Sequence, residues 1–454
     1  MMHRSLGCLA FAAGMLVPAC HAQLVPDPLN PISSAPDGLH IYEVSIFSGY
    51  STSAFPFGGG GIPTGNDAAL NSDINYGAST SVGWQHHRER TSFSVRYSAS
   101  YSGLVHYSAA DGFSEGLTLG VSRQMSPKWT FSLSASGQDA TLIQILNEPT
   151  SLNVTSQLSS DFGDFAAAFG LGSYSTSQAA SAILGAPVVQ APIRSLLLGN
   201  KVLSYSGTAG VTYAYSRHLN FHVSAFGSGG ESRAAPFNGV PGTNFVLPAG
   251  FGADAGMSLL YSLSPRTDLA FNVDVDRLQN RFQTGYTSTA DVSVGRKMGM
   301  HWFARVYAGA TYSEITQQSS GTALPLQAIG GASLGVKTHE NTFVASYNRS
   351  ASDSYGEFIG TYSTLSGTWS WRRPGSRLGV FANYGEQQIT NTGFESFSGW
   401  EAAAGFNERL TDNTGMSAQY IYSKTAGTYL GTVTDLSVQS VRLTMSWYPQ
   451  VMQR

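Results

Sequence analysis

The feature that most restricts this chain is a period of two. In TDLAFNVDVDRLQ (267–279), Leu269, Phe271, Val273 and Val275 alternate with Asp268, Asn272, Asp274 and Asp276. Successive side chains of a strand point to opposite faces, so this segment is a strand with one apolar and one acidic face. The pattern recurs to the end of the chain. TSFSVRYSASY (91–101) sets Phe93, Val95, Tyr97, Ala99 and Tyr101 against Ser94, Arg96, Ser98 and Ser100. KVLSYSGTAGVTYAYS (201–216), FGADAGMSLLYSLS (251–264) and VQSVRLTMSWY (438–448) divide in the same way. Helical periodicity is nearly absent, and the chain reads as all-β.

The connections between strands fall into two kinds. One kind is short and charged: HRERT (87–91), SPKW (126–129), SRHLN (216–220), SPRTD (264–268), RKMGMH (296–301), HENT (339–342), RRPGSR (372–377) and RLTDNT (409–414). Each lies between two strong strands and closes a hairpin. The alternate connections vary more. They include residues 53–73, 233–250 and a long segment from Ala140 to Gly199, although ASDSYG (351–356) is short. Eight hairpin turns define sixteen strands. With LHIYEVSIFSGY (39–50) before and LSVQSVRLTMSWY (436–448) after, the expectation is about 18 strands, within a range of roughly 16 to 20.

Alternation alone also fits a soluble sandwich. Composition and the placement of tryptophan separate the two. Only 12% of residues are charged, about half the usual share, while the hydrophobic fraction is an ordinary 42%. A net charge of −3 excludes a nucleic-acid binder on bulk electrostatics. Trp84, Trp129, Trp302, Trp369, Trp371 and Trp447 all fall beside short turns or at the last strand end, and Trp400 alone falls near the loop side. Indole rings gathered at one level form a membrane-interface belt, because the ring is apolar and its N–H seeks water or headgroups. Tyr50, Tyr76, Tyr101, Tyr286, Tyr312 and Tyr422 lie at the loop ends, where a second girdle belongs. The two faces of each strand then meet lipid and water, and closure leaves no unpaired edge in hydrocarbon.

Short turns at one end, longer loops at the other and an even strand number resemble large bacterial outer-membrane β-barrels of the porin-like class. The resemblance covers roughly residues 39–448 and is one of architecture. The last strand, with Trp447 and Tyr448, resembles the C-terminal insertion signal of such proteins, although the tail PQVMQR extends beyond it. The resemblance implies a closed antiparallel transmembrane barrel set in the outer-membrane bilayer. It implies insertion by the barrel-assembly machinery, periplasmic termini and small hydrophilic solutes as partners, and leaves oligomerisation open. No nucleic-acid partner, cofactor or metal is expected.

The N-terminus supplies the export route. Arg4, the apolar run SLGCLAFAAGMLV and then PACHAQ have the layout of a signal peptide spanning residues 1–22. Cleavage after Ala22 is the preferred reading. Acylation at Cys20 is the alternative, and Pro18 fits it poorly. Cys8 and Cys20 would both leave with the signal, so the exported chain is held without disulfides. Residues 23–38 read as a Pro-rich periplasmic segment and 449–454 as a short periplasmic tail.

Alternation directs Glu43, Arg96, Asp254, Asp274, Asp276, Asp291, Arg305, Lys337, Glu401 and Arg442 inward, as candidates for lining a pore. Opposed acidic and basic groups create a transverse field, and each of them also serves simply to solvate the wall. Asp274 and Asp276 beside Asp291 form the best local cluster. In the long segment, Asp161 and Asp164 are candidates for a constriction if the loop folds inward. An external flap is the competing reading. Short helices are expected at 161–170 and 177–185. His86, His87, His106, His218, His222, His301 and His339 have no nucleophile motif beside them, so no enzyme is expected. GIPTGNDAAL lacks the Gly-Lys-Ser/Thr ending of a phosphate loop. Two functions remain: a channel for passive diffusion of small hydrophilic solutes narrowed by the long loop, or a structural or surface-display barrel with a plugged lumen and partner-binding loops.

Overall fold

A computed structural model describes residues 37–52, 72–106, 111–141, 201–233, 250–264, 266–280, 283–299, 301–317, 321–323, 326–354, 358–373, 375–390, 396–429 and 432–449. The expected signal peptide (1–22), most of 23–38, the long segment with Asp161 and Asp164, its two expected helices and most of the C-terminal tail lie outside these residues. No helix occurs among the described residues.

The elements are β1 (Gly38–Ser51), β2 (Asp73–Arg88), β3 (Thr91–Leu104), β4 (Gly112–Ser126), β5 (Trp129–Thr141), β6 (Lys201–Ala214), β7 (Leu219–Arg233), β8 (Gly250–Ser264), β9 (Thr267–Asn280), β10 (Gln283–Met298), β11 (Trp302–Gln317), β12 (Gly321–Ala323), β13 (Gln327–Lys337), β14 (Asn341–Ser354), β15 (Phe358–Arg372), β16 (Leu378–Thr390), β17 (Ser396–Arg409), β18 (Thr414–Tyr429) and β19 (Thr432–Trp447). Apart from β12 and β13, consecutive strands pair antiparallel, and β1 pairs with β19, for example Val44 with Trp447 and Tyr50 with Val441. The sheet therefore closes on itself. β12 and β13 both pair with β11, through Glu314–Thr316 and Trp302–Thr311 respectively. They are two pieces of one stave, and the barrel has 18 staves. The sequence between them contains Pro325, which has no N–H to give a ladder. β5 pairs directly with β6 from Trp129 to Thr141, so the wall passes across the long segment without an intervening strand.

All eight charged turns lie at one end, together with the described ends of β1 and β19. In two of these turns Gly299 (φ 75°) and Gly375 (φ 77°) adopt the left-handed conformation that a side chain would oppose. The wall is inside-out relative to a soluble protein. Outward Val306, Phe271 and Val275 are 58%, 40% and 37% exposed, whereas inward Asp254, Asn272 and Asp291 are each 2% exposed. Around mid-height, charge is on the concave side and apolar surface on the convex side, as lipid outside and water inside require.

Alternation fails at one place in β1. Ile41 pairs with Val82 and Glu43 with Ser81, leaving Tyr42 as the extra residue of a β-bulge. The bulge turns Tyr42 and Glu43 toward the same side, and Thr80 Oγ1 donates to the Glu43 carbonyl at 3.3 Å. The Tyr42 ring lies over Gly83, where an added Cβ would sit 2.6 Å from its Cε2. Phe47 covers Gly77, Tyr307 covers Gly331 and Phe381 covers Gly405 in the same manner. Inward aromatic rings thus fill the space that strand glycines leave open, which pins register around the ring.

Candidate functional site: the inner wall

Two charged groups form on the inner face. The first spans β8 to β11. Asp254 stands directly opposite Asp276, and Asp274 opposite Gly256 on one side and Thr289 on the other. A Cβ at Gly256 would lie 2.6 Å from Asp274 Oδ1, so the missing side chain is the space the carboxylate occupies. Asn272 pairs with Asp291, and its Nδ2 donates to Asp291 Oδ1 at 2.9 Å. Asp274 Oδ2 and Asn272 Oδ1 are buried with no hydrogen-bond partner among the described residues. Arg305 closes the group at the β11 side, its Nη2 donating to Ser293 Oγ at 2.9 Å. Four carboxylates with one guanidinium make this sector of wall acidic.

The second group spans β19 to β3. Arg96 Nε donates to Ser81 Oγ at 2.7 Å, and its guanidinium carbon lies 5.2 Å from the Tyr42 ring centroid. Arg442 lies 3.8 Å over the Phe47 ring. Ser446 Oγ donates to Glu43 Oε1 at 2.8 Å. Aromatic faces hold both arginines against the wall by cation–π attraction, which strengthens as water is removed. Two guanidiniums with one carboxylate make this sector basic.

Closure sets the two sectors against one another. Counted along the ring, β19 is nine staves from β9 in either direction, with β12 and β13 taken as one. The acidic and basic groups therefore occupy opposite walls. Both stand near mid-height: Asp274 is the eighth residue of 14 in β9, and Arg96 the sixth of 14 in β3.

The remaining inward candidates stand apart from both groups. Lys337 ends β13 at the turn end, where its carbonyl bonds His301 Nδ1 at 2.9 Å. Glu401 in β17 pairs with Gly385 and Ser423. The six turn-end tryptophans occupy the outward face. Trp84, Trp129, Trp302 and Trp447 are exposed there, while Trp369 Nε1 donates to Asn341 Oδ1 and Trp371 Nε1 to Glu340 Oε2. Trp400 lies near the loop end between Tyr384 and Tyr422, with ring centroids 6.3 and 5.0 Å away. Also at the loop end, the buried Asp73 carboxylate accepts the backbone N–H groups of Ile74 and His106 and contacts His106 Nδ1 at 2.9 Å. Asn272, Tyr42 and Phe47 were not among the sequence candidates. Asn272 lies on the alternating face and could have been read there, whereas Tyr42 is reached only through the bulge.

No protein-family model matches the sequence, and no curated protein matches it. Similar solved structures include OccK2 (OpdF) of Pseudomonas aeruginosa in complex with glucuronate, at 8% identity and a TM-score of 0.46 over 91% of this chain and 100% of that one. OccAB4 of Acinetobacter baumannii is similar at 10% identity and a TM-score of 0.44, over 92% and 99% of the two chains. The FrpB iron transporter of Neisseria meningitidis (F3-3 variant) is similar at 8% identity and a TM-score of 0.44, over 93% and 83%. The class follows from the barrel itself. A closed antiparallel ring of 18 staves, apolar outside and polar within, is a large outer-membrane β-barrel of porin-like architecture.

Proposed function

We propose that this chain is an outer-membrane channel through which small hydrophilic solutes diffuse passively. One observation carries the reading: the polar and charged residues gather on the inner wall of a ring of 18 staves, and rings of about 16 to 18 strands leave an aqueous lumen, whereas about 8 are filled by side chains. The acidic sector favours cations near one wall and the arginine sector favours anions near the other. In this reading the segment 140–199 narrows the lumen through Asp161 and Asp164. Residues 1–22 direct export, the termini lie in the periplasm, and the six tryptophans anchor the turn end at the membrane surface.

Planar-bilayer recording of the purified, refolded chain tests the proposal. Stepwise conductance that grows with salt is expected, and a correctly folded barrel that never conducts would refute it. The same recording addresses a second reading, a display barrel with a closed lumen. Its support is the 2% exposure of Asp254, Asn272 and Asp291, which is low for side chains on the wall of an open channel.

A further inference from the structure

The eight turn sequences together hold eleven Lys or Arg residues and four Asp or Glu, while the whole chain carries a net charge of −3. The turn end is therefore a basic collar on a slightly acidic protein. Among the described residues, Arg409 has a carboxylate partner in this collar, Asp412 at 3.1 Å. Arg88, Arg90 and Arg373 are exposed and have no ion-pair partner among the described residues, whereas Arg372 is on the inward face of β15, opposite Gly379. The collar lies directly beyond the tryptophan belt. Arg88 stands four residues past Trp84 on the same outward face, and Arg373 two residues past Trp371. The loop-end exterior is different: exposed Glu115, Glu314 and Glu386 stand there with Arg277, Arg349 and Lys424, so its charge is mixed.

We infer that the turn-end collar binds the headgroups of anionic glycerophospholipids in the leaflet it meets. Indole rings fix the depth of the apolar boundary, and guanidiniums just beyond it are at the level of lipid phosphates. A guanidinium offers paired N–H donors matched to phosphate oxygens. A fixed ring of such groups attracts an anionic leaflet more strongly than a zwitterionic one. This inference rests on the outer-membrane reading and is independent of whether the lumen conducts.

The test is native mass spectrometry of the full chain refolded in nonionic detergent, with equal amounts of phosphatidylglycerol and phosphatidylcholine. Selective retention of phosphatidylglycerol is expected. In R88Q/R90Q/R373Q that selectivity should fall by about a hundredfold, taking about 1 kcal/mol per basic residue at an anionic surface. The corresponding three-lysine variant should keep the part that charge alone supplies. Equal retention of the two lipids, or selectivity unchanged in the glutamine variant, overturns the inference. Displacement of the lipid by free glycerol phosphate would mark a simple anion site and also overturn it. So would tight binding of polyglutamate without lipid selectivity, which would mark a collar for an acidic polypeptide. Conductance of the same preparations keeps the two readings distinguishable: a selective but non-conducting barrel refutes the channel and leaves the collar standing.

Discussion

At the scale of single residues, Val273 and Asp274 are adjacent in β9 and face different solvents. Val273 is on the outward face between Phe271 and Val275, and Asp274 is on the inward face in the space left by Gly256. Replacing Val273 by Arg places a guanidinium near the middle of the apolar band and should cost about 2–4 kcal/mol of folding stability in a bilayer. Asp274→Asn keeps shape and polarity and should leave insertion unchanged. Heat-modifiable migration on gels after refolding into vesicles reads both, and equal tolerance at the two positions would show that the facing assignment is wrong. This much was legible in the sequence, because a period of two is a direct consequence of strand geometry. The Tyr42 bulge was not. One extra residue reverses every later assignment on a strand, and it is visible only once Ile41 and Glu43 are seen to pair with Val82 and Ser81.

At the scale of elements, the hairpins were more legible than the pieces that interrupt them. All eight charged turns connect consecutive strands as expected, since each places turn-forming residues between two alternating runs. The split of one stave into β12 and β13 had a signal in Pro325, but Pro alone does not say whether a strand ends or resumes. The longest connection in the sequence, expected from Ala140 to Gly199, spans residues 142–200, because Ala140 and Thr141 belong to β5 and pair with Val202 and Lys201. Its effect on the lumen is measurable without further structural knowledge, because β5 and β6 pair with each other from Trp129 onward and leave the wall complete. A deletion of 150–190 should therefore still fold, and single-channel conductance should rise if the segment narrows the lumen. Unchanged conductance in a correctly folded deletion would assign the segment to the outside.

At the scale of the whole molecule, the decisive relation is one that no local pattern contains. Alternation gives the face of Asp274 and of Arg442, but not the angle between them. That angle exists only after closure, when the pairing of β1 with β19 turns a linear order of strands into a ring and sets β9 opposite β19. In the proposed channel the consequence is a field across the lumen rather than along it. There Asp254, Asp274, Asp276 and Asp291 would attract cations to one wall, with Arg305 offsetting part of the effect. Arg96 and Arg442 would repel cations from the other, with Glu43 offsetting part of theirs. Four carboxylates against three guanidiniums, with one more carboxylate beside them, leave a small acidic excess, so a weak preference for cations is expected at low salt. Screening over about 8–10 Å should remove it near physiological ionic strength and above. Reversal potentials across a KCl gradient provide the measurement. D274N/D276N/D291N should abolish the preference or shift it toward anions, and R96Q/R442Q should increase it, because the two variants strip opposite walls. A potential that ignores both variants would leave these residues as wall solvation. A response to the aspartates alone would confine selectivity to the β8–β11 sector and remove the opposite wall from the account.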